Sequence, residues 1–354
     1  MYSLLLQLRR LSFALLPARF NPCTYSLFFS KCYHCRVKRT TVHAAVEDFS
    51  DDRLWIDFRL RRSDISRMLV AFQLNDIAKV DVGKGNIFTG EEVFLIARYK
   101  FVTDSRFIQM ASIFRRDHSE LSKALKYFVN HVISKLGFLL TNNMEYWLPY
   151  FSTFAEATRA KFCSVSGLGI PSGSFRICGF HDDTCIKTSR PGAGPAVGGG
   201  RKDNNIQRAC YNGAGHYHGV KYQTMEAVNG MAMHMYGPMS YRHSDLDLFR
   251  ASGLNDILAE LQIGQPMQYA SYGDGIFPIL SHCIGKHVGM NLNERERLEN
   301  KFMSSMRICN EWHYGITGRY FPLVKNFYKH QLLKNLQSGR YYFVATIMKQ
   351  PLAL

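Results

Sequence analysis

Three acidic residues stand at the ends or on the polar face of otherwise apolar segments. Asp182 follows the apolar run Phe175 to His181, Asp274 follows Met267 to Tyr272 and Gly273, and Glu311 shares a helical polar side with Asn300, Ser304 and Arg307. Carboxylate oxygens are hard donors suited to Mg²⁺ or Mn²⁺. Two such ions about 4 Å apart can generate an oxygen nucleophile, neutralise a phosphate and stabilise the leaving oxygen of a phosphodiester. The surrounding chain is basic, with 44 Lys and Arg against 28 Asp and Glu and a formal charge of +16. Such a surface attracts DNA, RNA or acidic lipid headgroups.

The elements that must position these residues fall into two regimes. From Glu47 to about residue 137 the periodicity is helical, with Ile65, Met68, Leu69 and Phe72 on one face and Thr89 with Glu92 as a capping box before Phe94, Leu95 and Tyr99. Phe107 to Phe114 reads as a short helix, Arg115 to His118 as a tight connection, and Ser119 as the N-cap of a helix reaching about Leu136. This outline is helix-turn-helix-like, with Lys123 and Lys126 able to lie near phosphates, and equally suits plain helical packing. From Gly167 onward strands are expected at Phe175 to His181, His218 to Val228 and Met231 to Tyr236, the last two joined by Asn229-Gly230 with positive φ at both residues. Arg190 to Asn205, rich in glycine and carrying Arg201 and Lys202, reads as a surface loop. Ser244 and Asp247 cap a helix that breaks at Gly253 and continues through Leu254 to Leu261. A strand, Met267 to Tyr272, and a long helix with Leu298, Phe302, Met306, Cys309 and His313 inward complete the order.

Three antiparallel strands, a helix, a strand and a later helix begin an RNase H-like core, in which carboxylates occupy the first strand, the end of the fourth and a late helix. Asp182, Asp274 and Glu311 hold those places. The fold class expected is therefore α/β, an RNase H-like mixed sheet flanked by helices, preceded by a small helical region. The expected division is a basic extension at 1–50, a helical region at 51–145 and a catalytic domain at 165–345.

Composition bounds the rest. With 46% hydrophobic residues the chain supports a buried core. Nine cysteines without paired spacing indicate a reducing compartment, and Cys32 with Cys35 lacks a second ligand pair for zinc. Arg9 and Arg10 interrupt the most apolar N-terminal stretch, so no membrane span is expected. Residues 1–46 contain no acid, which fits a mitochondrial transit peptide or a simple basic extension.

Several segments resemble the PIF/Harbinger transposases and Harbinger transposase-derived nucleases, members of the DDE superfamily endonucleases. They are Gly179-Phe180-His181-Asp182-Asp183-Thr184, Arg190-Pro191-Gly192, Gln207 to Gly213, His218 to Gln223, Tyr236-Gly237-Pro238, Tyr272-Gly273-Asp274, and Met306-Arg307 through Glu311 to Gly315. Their order and spacing are similar to the family's over about residues 60 to 345. The resemblance implies a two-metal DNA endonuclease with Asp182, Asp274 and Glu311 catalytic, and with Asp245 as a further ligand of Mg²⁺ or Mn²⁺. It also implies DNA as substrate, a separate Myb-like DNA-binding partner and action in the nucleus, and it is compatible with an oligomer. The family places a histidine directly before the aspartate matched by Asp245, whereas this chain has Ser244 there and His243 one position earlier. It often has a basic residue where His216 stands.

Each acid has a plainer reading. Asp245 can serve only the helix dipole, Glu311 can pair with Arg307 at i, i+4, Asp274 can be a turn residue, and Asp183 competes with Asp182. The alternative function is a DNA-binding or partner-binding descendant that no longer cuts.

Overall fold

A computed structural model describes residues 44–77, 79–81, 86–170, 175–191, 205–213, 215–325 and 337–350. The basic extension through residue 43, Cys32, Cys35 and most of the glycine-rich segment lie outside the described residues. Val46 and Phe49 are already buried, so packed chain begins ahead of residue 51.

The N-terminal part contains α1 (Arg62–Ala71), the short strands β1 (Val80–Asp81) and β2 (Ile87–Phe88), α2 (Gly90–Thr103), α3 (Phe107–Phe114), α4 (His118–Leu136) and α5 (Phe151–Ser166). Thr89 Oγ1 caps α2 by accepting the Glu92 N–H at 3.0 Å. The Glu92 side chain does not complete the expected box, because it turns inward to Arg116. The cap of α4 is Asp117, which accepts the Ser119 N–H at 2.8 Å, and not Ser119 itself. An ionised carboxylate accepts an exposed helix N–H more strongly than a hydroxyl does, which moves the start back by two residues.

A six-stranded mixed sheet follows. It comprises β3 (Ile177–Thr188), β4 (Tyr211–Asn212), β5 (Tyr217–Ala227), β6 (Ala232–Ser240), β7 (Ala270–Tyr272) and β8 (Cys283–Ile284). Strand β5 pairs antiparallel with β3, β4 and β6, while β3, β7 and β8 run parallel. The first strand runs to Thr188 and not to His181, because its polar second half still has β5 alongside to bond. Asp182 therefore sits inside a strand, opposite Thr224. Residues 228–231 join β5 to β6, and only Gly230 takes positive φ, at 79°. The expected pair of positive φ values is not needed, since this four-residue connection closes through a 2.9 Å bond from Gly230 N to Ala227 O.

Helices α6 (Asp245–Ser252), α7 (Leu254–Leu261), α8 (Glu294–Tyr320) and α9 (Gln337–Lys349) flank the sheet. Ser244 and Asp247 form the expected capping box, and Gly253 ends the helix at φ 63°. Residues of α2 and α4 share one apolar core with Val220, Tyr222 and Met235 of the sheet and with Tyr341 to Met348 of α9. No helix among the described residues is long and apolar enough to cross a membrane.

Candidate active site

Successive strand residues point to opposite faces, and β3 uses this to divide its acids. Phe180 packs with Phe302 and Met303 of α8, so Asp182, two residues on, also faces α8. His181 packs against Phe249 and Phe277 on the other side, and Asp183 shares that face.

On the α8 face, Arg307 Nη1 hydrogen-bonds Asp182 Oδ2. Asp182 Oδ1 accepts the Asp183 N–H at 3.0 Å, and its carbonyl accepts the Tyr314 hydroxyl at 2.9 Å. Burial pushes the Asp182 carboxyl up to about 6; Arg307 and the Asp183 N–H oppose the rise, and the charges of Asp274 and Glu311 add to it. The three acids are thus electrostatic neighbours although they come from β3, the end of β7 and α8.

Asp274 lies at the carboxyl end of β7. Its Oδ1 accepts the Gly275 N–H at 2.7 Å and lies 3.6 Å from Lys286 Nζ. Burial raises its pKa, but the Gly275 N–H, Arg307 and Lys286 together outweigh that and hold it below the ordinary carboxylate value. The preceding Gly273 is required by close approach, because a Cβ there would run into the buried His181 ring. That ring is itself fixed by a 2.7 Å bond between Nδ1 and Ser271 Oγ. Glu311 is exposed on α8, one turn beyond Arg307. The i, i+4 pairing of Glu311 with Arg307 gives way to the Arg307 contact with Asp182, which is more shielded from water and therefore stronger.

Asp245, at the first turn of α6, is drawn elsewhere, into an ion pair with Lys221 of β5. It bears on Asp183: burial pushes Asp183 up to about 8, Asp245 and Asp182 add to the rise, and Gln223 and Lys221 oppose it. Asp183 Oδ2 is buried without a hydrogen-bond partner among the described residues. The chain thus sets two groups of acids on opposite faces, Asp182 with Asp274 and Glu311 on one and Asp183 with Asp245 on the other. Among the described residues no group of three His, Cys, Asp or Glu is arranged to hold a metal ion. Arg307, Lys286 and Lys221 occupy the carboxylates instead. Sequence reasoning missed all three cations as partners of the acids, and missed Tyr314; only Arg307, placed four before Glu311 on the same side, left a signal.

Asp183 makes a pH prediction. Its folded value lies above the ordinary 3.8, so the folded protein keeps a proton that the unfolded chain gives up between about pH 4 and pH 8. Its contribution to stability is complete below about pH 4 and is lost as pH rises through about 8. Asp183→Asn should therefore match wild type near pH 4 and exceed it near pH 9 by roughly 1–2 kcal/mol after screening, measured by urea denaturation. Equal stabilities at both pH values would refute the burial of this carboxyl.

A mixed sheet flanked by helices, with acids at a strand, a strand end and a late helix, is compatible with a DDE nuclease. Residues 193–347 match the family model described as DDE superfamily endonuclease, a span that contains Asp245, Asp274 and Glu311 and begins after Asp182. No curated protein and no solved structure matches the chain.

Proposed function

We propose that the protein is a metal-dependent DNA endonuclease of transposase origin, acting in the nucleus, whose catalytic core is RNase H-like and related to the Harbinger group. What supports this reading is the placing of Asp182 in β3, Asp274 just after β7 and Glu311 on α8, together with the match of residues 193–347 to the DDE superfamily endonuclease model. Strand order β6-β5-β3-β7-β8, with the first three antiparallel and the last three parallel, supports the fold assignment. The donors fit hard divalent cations, being all carboxylate oxygens whose mutual repulsion a positive ion would relieve. Asp182, Asp274 and Glu311 would hold Mg²⁺ or Mn²⁺; Asp245, paired with Lys221 beside Asp183 on the other face of β3, is left out of that set. When bound, such ions supply a nucleophilic oxygen at neutral pH and neutralise the phosphate. The chain's own contribution is to orient. Gly273 and His181 fix the end of β7 relative to β3, and Tyr314 fixes the Asp182 backbone. The net charge of +16 draws DNA in, with Lys123 and Lys126 of α4 as outlying phosphate contacts. A Myb-like partner would supply sequence choice.

Incubating the full chain with plasmid and Mn²⁺ tests the reading. Nicking should fall by about a hundredfold or more in Glu311→Gln. Undiminished nicking in that variant would remove Glu311 from the mechanism.

A second reading, a DNA-binding descendant that no longer cuts, is favoured by the engagement of Asp182 with Arg307 and of Asp245 with Lys221. Salt-dependent DNA binding without Mn²⁺ uptake in calorimetry would select it.

A further inference from the structure

The contact between Arg307 and Asp182 is not needed to hold a cation, and it opposes one. Arg307 extends from α8 one turn before Glu311 and reaches across to Asp182 Oδ2, while Asp182 Oδ1 is taken by the Asp183 N–H. The two side chains are only 17% and 18% exposed, so their charges are poorly screened. A divalent ion and a guanidinium on the same carboxylate would repel strongly there. The pairing is also incomplete, because Arg307 Nε is buried with no acceptor among the described residues. A planar fork with unsatisfied donors is matched by the paired oxygens of a phosphate.

We propose that Arg307 is the resident counter-ion of this site: it holds Asp182 until a divalent cation displaces it, and the displaced guanidinium then takes the DNA phosphate. The inference rests on Asp182, Asp274 and Glu311 being the ligands. It makes cation and DNA binding cooperative, since each ligand favours the arrangement in which Arg307 has left Asp182, and such coupling is reciprocal. Removing the guanidinium removes the competitor and the coupling together.

The test is a calorimetric titration of Mn²⁺ into the full chain, alone and with duplex DNA carrying phosphorothioate linkages. Wild type should bind Mn²⁺ about tenfold more tightly when DNA is present. Arg307→Ala should bind Mn²⁺ about tenfold more tightly than wild type without DNA, and DNA should add little. Arg307→Lys retains the charge but not the fork, so it should bind Mn²⁺ like wild type without DNA and gain less than wild type when DNA is present. Arg307→Gln repeats the neutral case if the alanine variant melts early. If neither neutral variant binds Mn²⁺ more tightly than wild type, while Asp274→Ala abolishes binding, the counter-ion role fails and the ligand assignment stands. If no form binds Mn²⁺, the ligand assignment fails and takes the counter-ion with it.

Discussion

Asp274→Ala is expected to abolish Mn²⁺-dependent plasmid nicking, by more than the roughly hundredfold that loss of an outer-shell partner causes at metal sites. The variant is a clean test because the fold asks little of this side chain. Its ion pair with Lys286 joins side chains 44% and 38% exposed, a kind of contact worth about 0–1 kcal/mol. Its other bond is to the next backbone N–H. Melting should thus stay close to wild type while cutting disappears. Equal nicking by variant and wild type would show that the cutting comes from other residues or from a contaminant.

Glu92→Ala should have the largest effect on stability. Both Glu92 carboxylate oxygens face Arg116, with Nε to Oε1 at 2.9 Å and Nη2 to Oε2 at 3.0 Å, and the pair is 0% and 7% exposed. Arg116 also donates to the Ile87 carbonyl at 3.0 Å and lies 4.4 Å over the Phe88 ring. The pair ties the start of α2 to β2 and to the turn between α3 and α4. Taking away the carboxylate leaves a buried guanidinium facing alanine, which costs about 3–5 kcal/mol. The expected result is a large drop in the urea midpoint with unchanged slope. A drop under about 1 kcal/mol, the range of exposed pairs such as Arg53 with Asp57, would mean that water reaches Arg116.

Local patterns explain what could be read in advance. Helix α3 spans Phe107–Phe114 as its apolar spacing indicated, and the Ser244 box with Gly253 set both ends of α6. Those signals need only neighbours in sequence. Asp117 displaced Ser119 as a cap, and β3 outran its apolar half, because cap strength and sheet pairing weigh partners that periodicity does not register. Helix α9 was not anticipated. Tyr341 to Met348 are all buried, so the segment has no polar face to produce a 3.6-residue rhythm. At the site, the sequence marked Asp182, Asp245, Asp274 and Glu311 as candidates, but the cations that pair with Asp182 and Asp245 are remote in the chain. Lys221 lies on β5 and Asp245 on α6, Arg307 on α8 and Asp182 on β3, so no spacing rule could pair them.

The central place of β3 has a practical consequence for anyone trimming the gene. This strand hydrogen-bonds to β5 on one edge and β7 on the other, yet it precedes the 193–347 segment that the family match delimits. A fragment cut to those limits would lack the middle stave of its own sheet and the first of the three acids. It would leave the long edge of β5 and the short edge of β7 unzipped, the former prone to self-association, so an inert or insoluble fragment would say nothing against the intact molecule.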